Sequence, residues 1–142
     1  ANTFKAKFEA QSILTTVTPP PPGTNETESN NTAATANAFT AVTLVNGTMS
    51  ASSDLDYFKV TIPAGKTINA PLPPNSTSDY DLALFDSNGT TSLATSTKGV
   101  GLADTVSKKN TGTTSKVYYV RAKYYSGGTG ATSGKYTLNL AW

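Results

Sequence analysis

Gly134-Lys135-Tyr136-Thr137-Leu138-Asn139-Leu140-Ala141 alternates without a break: Tyr136, Leu138 and Leu140 face one way, and Lys135, Thr137 and Asn139 the other. At the two-residue period of a strand this is one dry face and one wet face, the signature of a sheet that covers a core on one side only. The stretch Val117-Tyr118-Tyr119-Val120-Arg121-Ala122-Lys123-Tyr124-Tyr125 repeats the pattern, with Tyr118, Val120, Ala122 and Tyr124 inward and Tyr119, Arg121, Lys123 and Tyr125 outward. Further strands are predicted over 41–45, 48–51, 56–62, 67–72, 80–85, 92–97 and 104–107. Between them, Asn46-Gly47 and Asn88-Gly89 read as tight hairpins, Pro63-Ala64-Gly65 as a bend, and Ser126-Gly127-Gly128 as the start of a longer loop. Short strands at this spacing define an all-β chain and predict a two-sheet antiparallel β-sandwich, jelly-roll-like.

Upstream the character changes at Thr18-Pro19-Pro20-Pro21-Pro22-Gly23. Four prolines form a stiff extended spacer, so residues 19–24 are read as a linker and 25–142 as the sandwich domain. Within 1–18, Phe4, Ala6, Phe8 and Ala10 alternate with Lys5, Lys7 and Glu9. This segment is too short to fold alone, so it is either the remnant of a preceding domain, the preferred reading, or a strand that docks on this one.

Composition removes whole classes of function. Charged residues make up 14% of the chain and the net charge is +2, which is not the basic footprint of a nucleic-acid binder. No apolar run approaches the ~20 residues of a membrane-spanning helix. Zero Cys and zero His exclude from this chain the Cys nucleophile, the Ser-His-Asp triad and the His-ligated metal site. No signal peptide opens the sequence, so a mature fragment or expressed domain is expected, and a monomer.

Oxygen ligands are bunched in Asn25-Glu26-Thr27-Glu28-Ser29-Asn30-Asn31 and again in Asp54-Leu55-Asp56. An extended segment presents every second side chain to one side, so Glu26, Glu28 and Asn30 converge, and a carboxylate from the second block would nearly complete the six to eight oxygens of a calcium shell. The competing reading is a solvated polar linker after a proline run. Whether Asp54 or Asp56 points inward turns on a single residue of register and stays open.

The ordered blocks Glu26 to Asn31, Ser53 to Val60, Asp79 to Gly89, Tyr118 to Ala122 and Tyr136 to Leu140 resemble the bacterial pre-peptidase C-terminal domain, a family related to the collagen-binding modules of clostridial collagenases. Its pattern runs Glu-x-Glu-x-Asn-Asp, Ser-x-Asp-x-Asp-Tyr-Phe-x-Val, Asp-Tyr-Asp-Leu-x-Leu-Tyr-Asp-x-x-Gly, Tyr-Tyr-Val-Arg-Val and Tyr-x-Leu-x-Leu, and the likeness extends from about Asn25 onward. The resemblance implies a structural calcium held by Glu26, Glu28, Asn30, Asn31 and the Asp54/Asp56 segment. Asn31 stands where the family often has Asp, which removes one charge and weakens the expected affinity.

The resemblance further implies a non-catalytic accessory domain at the C-terminal end of a secreted, extracellular bacterial peptidase, with that catalytic domain as partner. Its expected role is to bind insoluble protein, such as a collagen-like substrate, or to assist secretion and maturation. Asp79 and Asp81 share one side of a strand, but strand-start aspartates serve more often as turn or edge residues, and no catalytic role is expected. Tyr119, Arg121, Lys123 and Tyr125 form a candidate ligand-binding strip, because Tyr and Arg concentrate binding energy. The competing reading is cross-strand pairing on an ordinary sheet surface. A carbohydrate-binding module of a secreted hydrolase is the alternative function, since sandwiches with exposed aromatics serve that purpose too.

Overall fold

The computed structural model describes residues 23–142; the 1–18 segment and the prolines of the 19–24 linker lie outside the described residues. Ten strands follow: β1 (Thr24–Asn25), β2 (Asn37–Phe39), β3 (Thr43–Thr48), β4 (Leu55–Ile62), β5 (Thr67–Leu72), β6 (Asp79–Phe85), β7 (Ser92–Ser96), β8 (Asp104–Lys109), β9 (Lys116–Ser126) and β10 (Lys135–Leu140). One layer is the five-stranded sheet β2-β4-β9-β6-β7. The other is assembled from β1-β3-β10 and the pair β5-β8, joined through a single bridge between Asn69 and Ala141.

The alternation expected of the strands is what builds the core. Asp56, Phe58, Val60 and Ile62 of β4 are buried while Tyr57, Lys59 and Thr61 are half-buried on the opposite face. Tyr118, Val120 and Ala122 of β9 pack from the same sheet, and Val45, Tyr136, Leu138 and Leu140 close the core from the other. Full burial of a Phe, Leu or Val side chain contributes roughly 1.5–3 kcal/mol.

The two-sheet sandwich agrees with the sequence, and three local features differ. The stretches 41–45 and 48–51 are not two strands around an Asn46-Gly47 hairpin, because β3 runs straight through these residues and pairs them with Thr137 and Tyr136. Gly47 serves packing: a Cβ there would lie 2.1 Å from Cζ of Tyr136, so glycine is what lets that ring lie across the strand. Two short strands, β1 and β2, have no apolar alternation to announce them. Both pair parallel to their neighbours, β1 to β3 and β2 to β4, in an otherwise antiparallel structure. At Asn88-Gly89 the turn is as expected, with φ of 73° at Gly89 and an Asp86 to Thr91 backbone bond closing it.

Candidate metal centre and aromatic face

The acidic segment is held against the sandwich by its backbone. Glu26 N–H donates to the Asn46 carbonyl at 3.0 Å, and Tyr57 N–H to the Asn30 carbonyl at 2.9 Å. Asn37 pins the middle: its Oδ1 accepts from Thr27 N–H at 2.9 Å and from Asn30 Nδ2 at 3.2 Å, and its Nδ2 donates to the Thr27 carbonyl at 2.9 Å. So fixed, Glu26, Glu28 and Asp56 each offer a carboxylate oxygen within 4.8 Å of the others.

Asp54 and Asp56 share one strand parity and both are buried, so their hydrogen-bond partners, not the register, tell them apart. Asp56 shares the inward face with Phe58 and Val60 and is fully buried at the edge of the core. Its Oδ2 accepts from the Tyr136 hydroxyl at 2.5 Å, and its Oδ1 has no partner among the described residues. Asp54 is buried too, but its Oδ2 accepts from Ser50 N–H and Oγ, both at 2.7 Å, and its Oδ1 accepts from Leu55 N–H at 3.0 Å, so its carboxylate closes a turn. Burial pushes the Asp56 carboxyl up to about 8; the Tyr136 hydroxyl opposes the shift, and the Glu26, Asp54 and Glu28 carboxylates add to it. Burial also raises Glu26, against the Thr48 N–H and the Asn30 amide that hold its charged form.

Two amides complete the surroundings. Asn30, fully buried, donates through Nδ2 to Glu26 Oε2 at 3.2 Å, yet its Oδ1 is orphaned. The Asn31 amide end lies 2.9 Å from the Leu55 carbonyl and 3.1 Å from Asp54 Oδ1. With its nitrogen there, it makes two hydrogen bonds; with its oxygen there, three oxygens converge as they do around a cation. Orphaned, fully buried oxygens on Asn30 and Asp56 beside three gathered carboxylates are costly without a partner. A hard cation could be held by the three carboxylates, and the donor set, oxygen only, suits calcium. Sequence reasoning missed Tyr136, Asn37 and Ser50, which position this cluster without belonging to either acidic block; Tyr136 reads in the sequence only as a core tyrosine.

On the outer face of the five-stranded sheet, the strip read from β9 divides. Arg121 lies over the Phe85 ring at 5.0 Å and near the Tyr57 ring at 6.0 Å, and those rings stack at 6.0 Å. Tyr119 sits opposite Phe85 and Lys59 across the ladders. These groups form a cluster of half-buried side chains around the buried Phe85, with Arg121 Nε buried and unpaired among the described residues. Lys123, opposite Asp81, and Tyr125, 69% exposed, lie farther along the strand. Tyr119 and Tyr125 are six residues apart, about 20 Å of strand.

A β-sandwich with a pinned, acidic entry segment is the class that these observations define. No family model matches the sequence, and neither does any curated protein. The structure is similar to the crystal structure of the pre-peptidase C-terminal domain of collagenase from Bacillus anthracis, with a TM-score of 0.54 at 12% identity, covering 87% of this chain and 98% of that one. The fold is therefore that of a pre-peptidase C-terminal domain. No helix among the described residues is long and apolar enough to cross a membrane.

Proposed function

We propose that this chain is a non-catalytic accessory domain at the C-terminal end of a secreted, extracellular bacterial peptidase, built around one structural calcium ion. The observation that carries the reading is the fold shared, nearly end to end, with the corresponding domain of a collagenase. Glu26, Glu28 and Asp56 would hold the ion, with Asn30, Asn31 and Asp54 completing its oxygen shell. When bound, calcium neutralises the gathered carboxylates and ties the segment entering the domain to β3 and β4, which sets the direction in which the preceding chain leaves.

Its role is to bring the parent catalytic domain to insoluble protein, a collagen-like material for example, or to assist secretion and maturation. A tethered binder makes the second encounter intramolecular and so raises local substrate concentration. Tyr125, the most exposed aromatic of the strip, is the expected contact, with Lys123 beside it; Tyr119 and Arg121 support the sheet surface behind them. Retention of the domain on insoluble collagen, keratin or elastin in calcium, lost in Tyr125→Ala, is the expected result. Retention by none of these, with retardation on a polysaccharide gel, would replace this reading with the carbohydrate-binding one.

A further inference from the structure

The seam between the two halves of the second sheet is closed at one end only. Asn69 and Ala141 exchange both backbone hydrogen bonds, at 2.8 and 3.0 Å, and no other bridge joins β5 to β10 among the described residues. Counting along the strands from that bridge puts Pro71 opposite Asn139 and Pro73 opposite Thr137. Proline has no N–H to give, so the ladder cannot continue. Backbone groups alternate in direction along a strand, so those of Thr137 and Lys135 point to the same side as Ala141's and meet no strand there among the described residues. Here a cleft of about 500 Å³ opens, walled by Leu72, Pro73 and Pro74 on one side and by Lys135 and Thr137 on the other, and Asp79 and Asp104 line it.

Asp79 is the unusual member. It is 7% exposed and its carboxylate makes no hydrogen bond or ion pair among the described residues; the one ion pair found there is Lys116 to Asp86. An oxygen of Asp79 lies within 4.8 Å of oxygens of Asp81 and Asp104. Lys123 stands opposite Asp81 across the ladder, and Lys135, although it lines the cleft, forms no ion pair with Asp79 or Asp104. Burial, and next Asp104, raise the pKa of Asp79, the mark of a carboxylate short of positive charge.

We propose that this cleft binds an extended polypeptide carrying a lysine or arginine, whose backbone pairs with the free edge of β10 at Lys135 and Thr137 while its cationic side chain reaches Asp79 and Asp104. Strand addition supplies sequence-independent hydrogen bonds, and the acidic pocket supplies selection. Leu72, Pro73 and Pro74 suit the apolar stem of such a side chain, whose head alone needs charge. A metal ion fits less well: the buried orphaned oxygens among the described residues, on Asn30 and Asp56, belong to the other acidic cluster, and Asp104 Oδ1 already accepts from Ser96 Oγ at 2.6 Å and Lys98 N–H at 2.9 Å. The choice of a polypeptide partner rests on the protein-binding role proposed above. The cleft shares no carboxylate with the calcium centre and no residue with the Tyr125 strip, so failure here leaves retention on insoluble protein and its loss in Tyr125→Ala standing.

The test is a backbone-amide NMR titration of the full chain in millimolar calcium with acetyl-Val-Thr-Arg-Thr-Val-amide, its Lys analogue and its Gln analogue. Shifts should centre on Lys135 to Thr137 and Asp79, with the Gln peptide weaker by about tenfold or more. Asp79→Asn should erase that preference, and Thr137→Pro, which removes an N–H facing the cleft and not β3, should weaken all three peptides. Because Asp79 has no partner to lose among the described residues, its variant keeps the test decisive should Thr137→Pro not fold. Equal binding of the three peptides, no binding of any, shifts elsewhere, or displacement of the Arg peptide by a tenfold rise in calcium in the wild type but not in Asp79→Asn would each overturn the proposal.

Discussion

The Tyr136 hydroxyl donates to Asp56 Oδ2 at 2.5 Å across 80 residues of sequence, inside the core. This contact joins the last strand to the acidic cluster, so packing and ion binding share one group. Tyr136→Phe keeps the ring and removes the donor, leaving a buried carboxyl oxygen without its partner. Chemical denaturation in EGTA should register a loss of about 1–3 kcal/mol; an unchanged midpoint would mean that the bond carries no stability.

Gly47 governs the same contact from below. A methyl group there would meet the Tyr136 ring, so Gly47→Ala must push the ring aside and lift its hydroxyl from Asp56. A cost of about 1–3 kcal/mol is expected from overpacking, together with a smaller calcium-induced rise in melting temperature than the wild type has. A full calcium response in Gly47→Ala would uncouple the two.

Calcium-free protein should show an inverted pH response. The folded-state pKa of Asp56, about 8, lies above its unfolded value near 3.8, so between these limits the native state binds the extra proton. Stability from this group is present in full below the unfolded value and is lost as pH rises through about 8. Denaturation midpoints in EGTA should therefore fall from pH 5 to 8 more steeply in the wild type than in Asp56→Asn; equal slopes would contradict the burial of a protonated Asp56.

The outer aromatic cluster predicts a contrast between neighbours on one strand. Arg121→Lys keeps the charge but loses the flat guanidinium over Phe85, at a cost of about 1 kcal/mol. Tyr125→Ala, at an exposed position, should alter stability by no more than about 0.5 kcal/mol. Thermal melts of the two variants check this directly, and a Tyr125→Ala loss as large as that of Arg121→Lys would show the strip to be structural throughout.

Much of this was legible in sequence because strand alternation is local. The faces of β9 and β10 follow from Tyr118 to Ala122 and Tyr136 to Leu140, whereas the choice between Asp54 and Asp56 stayed open because it turns on the Ser50 contact and the Tyr136 hydroxyl. The Asn46-Gly47 turn reading failed for a non-local reason: that glycine answers to a ring 89 residues away, and nothing near it in sequence says so. For the same reason the Tyr136 to Asp56 bond and the seam at Pro71 were invisible, since each depends on which strands become neighbours. The short parallel strands β1 and β2 carry no period at all and are held by single backbone registers and the Asn37 amide.

The most direct measurement is a pair of thermal melts of the domain, in excess EGTA and in millimolar calcium. With free calcium about a hundredfold above Kd, binding to the folded state alone adds about 2.7 kcal/mol, a rise on the order of 10 °C for a domain of this size. That rise, abolished in Glu28→Gln and Asp56→Asn, is the expected result. Superimposable melts for the wild type would contradict a calcium centre and leave Glu26, Glu28 and Asp56 as an acidic cluster that holds no ion.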